Sequence, residues 1–313
     1  MKLSIVIPCL NESANIKPLY RELTNILTEL QQDYEIIFID DGSTDDSFEK
    51  MRELAAEETR VRIVQFRKTF GQTAALTAGF HLARGEIIIP MDGDLQNDPA
   101  DIPRFLASLG DDCEVVSGWR KKRKDALLTR KIPSWLANKL ISLISGVNLH
   151  DYGCTMKAYQ KDVLRDIRLY GEMHRFIPIY ASWQGARVKE IIVNHRPRKY
   201  GKTKYRLNRI IKVLLDLIVI KFLDKYSRNP IYLFGGFGLT SMLLALISFS
   251  LMIYYKFWGG KTFIATPLPM LTVMFGLIGA VSILIGLVAE MGTRTYYESQ
   301  KKEIYQIKEK INF

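Results

Sequence analysis

Cysteine and histidine are scarce in this 313-residue chain, with three Cys (Cys9, Cys113 and Cys154) and four His. Three scattered thiols cannot build a disulfide framework, and the absence of CxxC or a Cys/His cluster removes the usual zinc pattern. Reduced thiols in a cytosolic compartment are the reading they support. Neither GxGxxG nor GxxxxGK[ST] occurs, which excludes the dinucleotide fingerprint and the P-loop as the means of holding phosphate. The start, Met-Lys followed by a short strand-like run, is expected to carry no signal peptide. Acidic residues are the minority, 33 against 44 Lys and Arg, for a formal charge of +11. Hydrophobic residues at 48% and charged residues at 25% exclude a disordered tail, a collagen or a low-complexity scaffold. The length suits two domains, or one large domain with an appendage.

Charge is missing altogether from 231–254 and from 262–289, where Pro267 and Pro269 stand near the start. As helices rising about 1.5 Å per residue, both runs are long enough for a hydrocarbon core of about 30 Å. Two buried helices of a soluble core would be the other reading, but tandem charge-free runs of this length are rare there. Eleven Lys or Arg lie in 196–228, five (Arg294, Lys301, Lys302, Lys308, Lys310) follow the second run, and only Lys256 and Lys261 lie between. The positive-inside rule then puts both ends in the cytoplasm. Basic residues beside the membrane attract anionic headgroups, which accounts for the charge without a nucleic-acid partner. The expected organisation is a cytoplasmic catalytic domain at 1–204 and a juxtamembrane amphipathic helix at 205–229. Two transmembrane helices within 230–291 (231–254 and 266–289) and a cytoplasmic basic tail at 292–313 follow. Segment 205–225 is apolar but carries charges at 206, 209, 212, 216, 221, 224 and 225, the pattern of an interfacial helix. Segment 132–149 is a weaker case, equally readable as a core helix. Gly235-Gly236-Phe237-Gly238 suits close helix packing, so a homo-oligomer (dimer or tetramer) through the hairpins is also an expectation.

The first two-thirds alternates strands and helices. Strands are expected at 3–8, 34–41, 61–66, 86–91, 114–118 and 188–193. Asn11 is placed to cap a helix running through Leu19, Leu23, Ile26, Leu27 and Leu30, and a further helix is expected at 71–83. Such alternation implies an α/β fold with a Rossmann-like, mainly parallel sheet covered on both faces, and ligands at the carboxyl ends of its strands. The sequences at those ends are Pro8-Cys9-Leu10-Asn11-Glu12, Asp40-Asp41-Gly42-Ser43 and Asp92-Gly93-Asp94. Two carboxylates around a glycine at a strand end suit a hard cation, Mg²⁺ or Mn²⁺, bound jointly with substrate phosphates. Asp40 and Asp41 add negative charge, so at least one of them is expected to bond a base or ribose. Capping of a helix by Asp41 or Ser43 is the alternative use.

Val6–Glu12, Ile39–Asp45, Phe70-Gly71-Gln72 and Met91–Gln96 resemble the family 2 inverting glycosyltransferases of GT-A fold. Asp151-Tyr152-Gly153-Cys154-Thr155-Met156-Lys157-Ala158-Tyr159 and Tyr200–Tyr205 are similar to the polyprenyl-phosphate branch, which includes dolichol-phosphate mannose synthase. The two apolar runs match its bacterial membrane-anchored members, implying a multi-pass protein of the inner (cytoplasmic) membrane. The resemblance covers nearly the whole chain. It implies a nucleoside pocket lined by Pro8, Asn11, Glu12 and Asp40, with Asp41 and Gln72 in the substrate-binding set. Asp92, Asp94 and Gln96 would surround the metal, Asp94 most directly. Arg120, Arg130 and Ser134 would hold the acceptor phosphate, Arg198 and Lys204 the donor diphosphate, and Asp151 would lie at the reacting sugar.

The implied reaction moves a hexose, glucose foremost, from a UDP-sugar to undecaprenyl phosphate with inversion. Galactose, N-acetylhexosamine, an aminoarabinose derivative and GDP-mannose stay open. A phosphate acceptor is already nucleophilic near neutral pH, so a strong general base is less necessary, and Asp151 either orients the sugar or acceptor or takes a proton. Stabilisation of the departing nucleoside diphosphate and in-line positioning carry the rate. His174 and His195 fit core or surface roles. Processive family members carry QxxRW, whereas Gln184-Gly185-Ala186-Arg187 is followed here by Val188, so polymerisation is not expected. A catalytically inactive nucleotide-sugar sensor or scaffold is the alternative class, distinguished by binding without turnover. A flippase is disfavoured because neither span carries a charge.

Overall fold

The computed structural model describes residues 2–121, 138–139, 141–142, 145–165, 167, 169, 173–197, 231–299 and 305–313. The 205–225 segment, and Arg130, Ser134, Arg198 and Lys204, lie outside the described residues, as does half of 132–149. The chain forms two compact units.

The first unit is built on eight strands. β1 (Lys2–Cys9), β2 (Asp33–Asp40), β3 (Val61–Phe66), β4 (Ile87–Pro90), β5 (Val115–Trp119), β6 (Lys157–Gln160), β7 (Val188–Ile192) and β8 (Ile307–Ile311) lie in the order β7-β5-β6-β4-β1-β2-β3-β8. β1 pairs in parallel with β2 and β4, β2 with β3, and β5 with β7. β6 and β8 run antiparallel to their neighbours. Leu3, Ile5, Val6 and Ile7 are all fully buried, because helices cover both faces of the parallel strands and a continuous apolar run is then required.

On one face lie α1 (Ser13–Glu29), α2 (Ser47–Glu57) and α4 (Ile102–Ser108). α1 buries Ile16, Leu19, Leu23 and Leu27 at helical spacing; full burial of each such side chain is worth about 1.5–3 kcal/mol. The other face takes α3 (Gln72–Leu82) and α5 (Ile177–Trp183). α1 does not use the expected cap: its N-cap is Glu12, without a side-chain hydrogen bond, and Asn11 turns to a neighbouring loop. Gln184 closes α5 and Arg187 pairs with Asp112 and Glu114 at the surface, so the Gln184–Arg187 run is structural.

Two strands were not foreseen. β6 has only four residues, with Lys157 at one end and Gln160 at the other. β8 falls in what the sequence presents as a basic tail: the tail returns to the sheet and pairs with β3. Tyr305 stacks on Phe66 with ring centroids 5.3 Å apart. Asn312 Nδ2 donates to the carbonyls of Ala55 and Val61, both at 2.8 Å. The Phe313 ring lies under the Arg62 guanidinium at 3.8 Å. Arg62 is itself buried and ion-paired with Glu35, which also accepts from Ser4 Oγ and Arg84 N, each at 2.6 Å.

The second unit holds α6 (Ile231–Phe257) and α7 (Leu268–Ser299), which pack on each other. Leu233–Phe257 and Leu268–Ala289 are long and apolar enough to cross a membrane. A Cβ on Gly238 would lie 2.8 Å from Gly279 O, and one on Gly279 would lie 2.8 Å from Gly238 O. The glycine-rich stretch therefore lets the two helices of one hairpin approach closely.

Removing residues 305–313 takes away the β8 ladder and the cover over Arg62. We expect this truncation to lower the melting temperature of the full chain by more than 5 °C or to cause aggregation, measured by thermal unfolding in detergent.

Candidate active site

The parallel register sets the site. Cys9 pairs with Asp40 and Val6 with Pro90, so the segments that follow β1, β2 and β4 leave the sheet side by side. The first two are stitched together. Asn11 N donates to Ser43 Oγ at 2.9 Å, Thr44 N to Asn11 Oδ1 at 2.8 Å, and Glu12 N to Ser47 Oγ at 2.9 Å. The Glu12 carboxylate accepts from Asn15 Nδ2 at 2.6 Å. Asn11 holds this turn at φ 52°, in the left-handed region that asparagine tolerates.

The two aspartates after β2 divide their work. Asp41 accepts from Phe70 N at 2.7 Å and Gly71 N at 3.0 Å, fixing the entry to α3. Asp40 is fully buried; its Oδ1 accepts from Ser43 N at 3.1 Å, while Oδ2 has no hydrogen-bond partner among the described residues. An unsatisfied buried acceptor costs about 1–3 kcal/mol, which a ligand N–H or O–H would remove.

Asp92 and Asp94 follow β4. A Cβ on Gly93 would sit 2.9 Å from Cys9 Sγ, so a side chain there would have to displace the Cys9 thiol for this turn to lie against the end of β1. Gln72, the first residue of α3, donates from Nε2 to Asp92 Oδ1 at 2.9 Å. Asp92 N donates to Asn97 Oδ1 at 2.9 Å. Burial and then repulsion from Asp94 push the Asp92 carboxyl up to about 6, against a hydrogen bond from Thr155 and the charges of Arg120 and Lys157. Asp94 is buried and accepts from Gln96 N at 3.1 Å, and Gln96 Nε2 reaches Arg196 O at 3.3 Å. Among the described residues no group of three His, Cys, Asp or Glu side chains could hold a metal. A cation here would rest on the Asp92/Asp94 pair and on ligands brought by a substrate. The electrostatics fit one, because burial and the neighbouring Asp94 charge oppose ionisation of Asp92 and a cation would favour it.

Arg120 and Asp151, expected to act on different substrate groups, form one bidentate pair. Nε donates to Oδ2 at 2.7 Å and Nη2 to Oδ1 at 2.9 Å. Both side chains are about nine-tenths buried, and the pairing raises the Arg120 pKa although burial opposes it. Asp151 N donates to Glu190 Oε1 at 3.1 Å, and Glu190 also accepts from His150 N at 2.9 Å and pairs with its Nδ1 at 2.7 Å. Glu190 on β7 thus fixes the backbone that aims Asp151. His174 is buried against Thr73 Oγ1 at 2.7 Å, as a core histidine would be.

The sequence reading missed Glu190, Thr155 and Lys157. Lys157 and Thr155 stand inside the Asp151–Tyr159 run, and a lysine set between the apolar residues Met156 and Ala158 is the signal that was available. For Glu190, one charge in a surface-like strand, no local signal exists.

The chain matches the model of glycosyl transferase family 2 over residues 4–168. It is 39% identical, over 99% of its length and 93% of the relative's, to a dodecaprenyl-phosphate galacturonate synthase of Rhizobium johnstonii. It is 34% identical, over 98% of its length and 92% of the relative's, to an undecaprenyl-phosphate 4-deoxy-4-formamido-L-arabinose transferase of Klebsiella pneumoniae. Its fold is similar to that of glucosyl-3-phosphoglycerate synthase from Mycobacterium tuberculosis, solved with Mn²⁺, UDP and glucosyl-3-phosphoglycerate. The TM-score is 0.55, with 17% identity over 71% of this chain and 79% of that one.

Breaking a buried ion pair leaves an uncompensated charge, at a cost of about 3–5 kcal/mol. Arg120→Ala and Asp151→Ala are each expected to destabilise the protein on that scale. The double variant should fall short of the sum by at least about 1 kcal/mol, read by denaturant unfolding of the three variants.

Proposed function

The chain belongs to glycosyl transferase family 2 and has the GT-A fold of that family, and from this premise we propose that it transfers a sugar from a UDP-sugar to a polyprenyl phosphate. The observation that carries the reading is the acidic edge of the sheet. The Asp92/Asp94 pair and the unpartnered Asp40 Oδ2 stand at adjoining strand ends, in a chain that also holds two apolar helices. The names of the two relatives support the lipid-phosphate acceptor. They also move the donor. Glucose, foremost in the sequence reading, gives way to a UDP-linked hexuronate such as galacturonate, with an aminoarabinose as the second reading.

In this reading Asp40 Oδ2 receives an N–H or O–H of the nucleoside, beside Pro8, Asn11 and Glu12. Asp92 and Asp94 hold Mg²⁺ or Mn²⁺ together with the donor diphosphate, and the ion's chemistry is neutralisation of charge on the leaving nucleoside diphosphate. Gln72 orients Asp92. Gln96, whose amide nitrogen is turned to Arg196 O, contributes through its backbone N–H on Asp94. Asp41 acts by anchoring α3 rather than by touching substrate. The acceptor phosphate needs no base, so Asp151 orients, and Arg120 shares its charge between Asp151 and the incoming phosphate. Arg130 and Ser134 are proposed beside Arg120, and Arg198 and Lys204 at the diphosphate.

The α6–α7 hairpin is proposed to span the inner membrane with both ends cytoplasmic. β8 follows the hairpin in sequence and pairs with β3, which precedes it, and this supports a hairpin with both ends on one side. The basic flanks favour the cytoplasm as that side. A cysteine at 261, between the spans, should react with an impermeant maleimide in intact cells. One at 308 should react only after lysis; the reverse pattern would overturn the topology.

Transfer from a panel of labelled UDP-sugars to undecaprenyl phosphate tests the activity. One lipid-linked product is expected, lost with EDTA, restored by Mg²⁺ or Mn²⁺, and reduced at least about 100-fold in Asp94→Ala, a loss of about 2.7 kcal/mol in transition-state stabilisation. UDP binding without any product would favour the sensor reading.

A further inference from the structure

Between β4, β6, α3 and α5 lies a cavity of about 10 Å³, lined among others by Leu76, Pro90, Thr155, Lys157, His174 and Arg175. That volume admits about one water-sized atom. None of the described residues lining it is acidic, whereas Lys157, His174 and Arg175 are cationic or become so on protonation. Lys157 is buried to 2% exposure. Its Nζ donates to the carbonyls of Tyr152, at 3.4 Å, and Cys154. An ammonium has three protons, so one remains after these two carbonyls. The nearby carboxylate of Asp151 is committed to Arg120 in the bidentate pair. Burial, with Arg120 and Arg175 adding to it against Cys154 and Asp151, brings the Lys157 amine down to about 8. Asp92 and Asp151 are the carboxylates whose charges reach Lys157, and both are already engaged, Asp92 by Gln72 and Thr155 and Asp151 by Arg120; a buried ammonium proton left over beside a void is costly unless an acceptor completes it. Thr155 connects the cavity to the candidate metal pair through its hydrogen bond to Asp92.

We infer that this cavity is an oxyanion subsite, in which one oxygen of a substrate carboxylate or phosphate fills the void beside Lys157, Thr155, His174 and Arg175. The size of the void sets the ligand: a single oxygen enters, and the rest of the group stays in the active site. The two sources are the carboxylate of a uronate donor and the phosphate of the lipid acceptor. The inference rests on the proposed transfer reaction, so its test includes an arm that needs no turnover.

In that arm, the full-length protein in detergent is titrated with inorganic phosphate and with D-galacturonate while its melting temperature is followed. At least one anion is expected to stabilise the wild type, to lose that effect in Lys157→Met and to retain it in Lys157→Arg. In the kinetic arm, a carboxylate source predicts that Lys157→Met lowers the preference for UDP-galacturonate over UDP-galactose at least tenfold. A phosphate source predicts at least a tenfold rise in the KM for undecaprenyl phosphate with either donor. Arg175→Gln is carried through both arms, so that failure of Lys157→Met to fold still leaves a reading. No anion-dependent stabilisation of the wild type, or equal stabilisation of wild type and folded variants, overturns the subsite. A wild type that responds to anions but transfers no sugar overturns the reaction and leaves the subsite standing.

Discussion

The parallel pairing of β1 with both β2 and β4 is the constraint from which the site follows. It sends three strand ends out at one edge, and each end carries an aspartate or its scaffolding. Like charges brought together by backbone geometry cannot relax apart. The protein answers with hydrogen bonds where it can, as for Asp41 on the amides of Phe70 and Gly71 and Asp92 on the Gln72 amide, while Asp40 Oδ2 has no hydrogen-bond partner among the described residues. Gly93 belongs to the same constraint, since a Cβ there would press on the Cys9 thiol at the end of β1.

Near this acidic group is a basic one: Arg120 just after β5, Lys157 at the start of β6 and Arg175 in the turn before α5. The two groups meet at Asp92, whose carboxyl senses burial and Asp94 on one side and Thr155, Arg120 and Lys157 on the other. Such a division suits a reaction in which one phosphate-bearing group leaves as another arrives, because each charge change is met by fixed partners that need not reorganise. Glu190 shows how such partners are kept in place: it holds the backbone of His150 and Asp151 from a strand that itself carries none of the expected chemistry.

Much of this was legible in the sequence. The apolar runs of β1 to β4 and the aspartates at their ends are local signals, and parallel α/β topology converts them into a place. The antiparallel strands were not legible. β6 is short and carries a buried lysine, and β8, Ile-Lys-Glu-Lys-Ile, alternates as an edge strand should but lies among charges that suggest a tail. The pairing of Arg120 with Asp151 was hidden for another reason. It joins residues 31 apart in sequence, and each alone has a sufficient role at a phosphate or a sugar. Asn11 illustrates the converse error, a side chain suited to capping its own helix that instead ties down Thr44 in the next loop.

The position of β8 ties folding to the order of synthesis. Strands β1 to β7 emerge from the ribosome before the apolar helices, and β3 keeps an open edge until residues 307–311 are made. An unpaired edge is a template for aggregation or degradation. On the proposed hairpin topology, a chain in which only one of the two apolar helices crossed the bilayer would leave residues 307–311 on the far side from β3, so completion of the sheet would report on insertion.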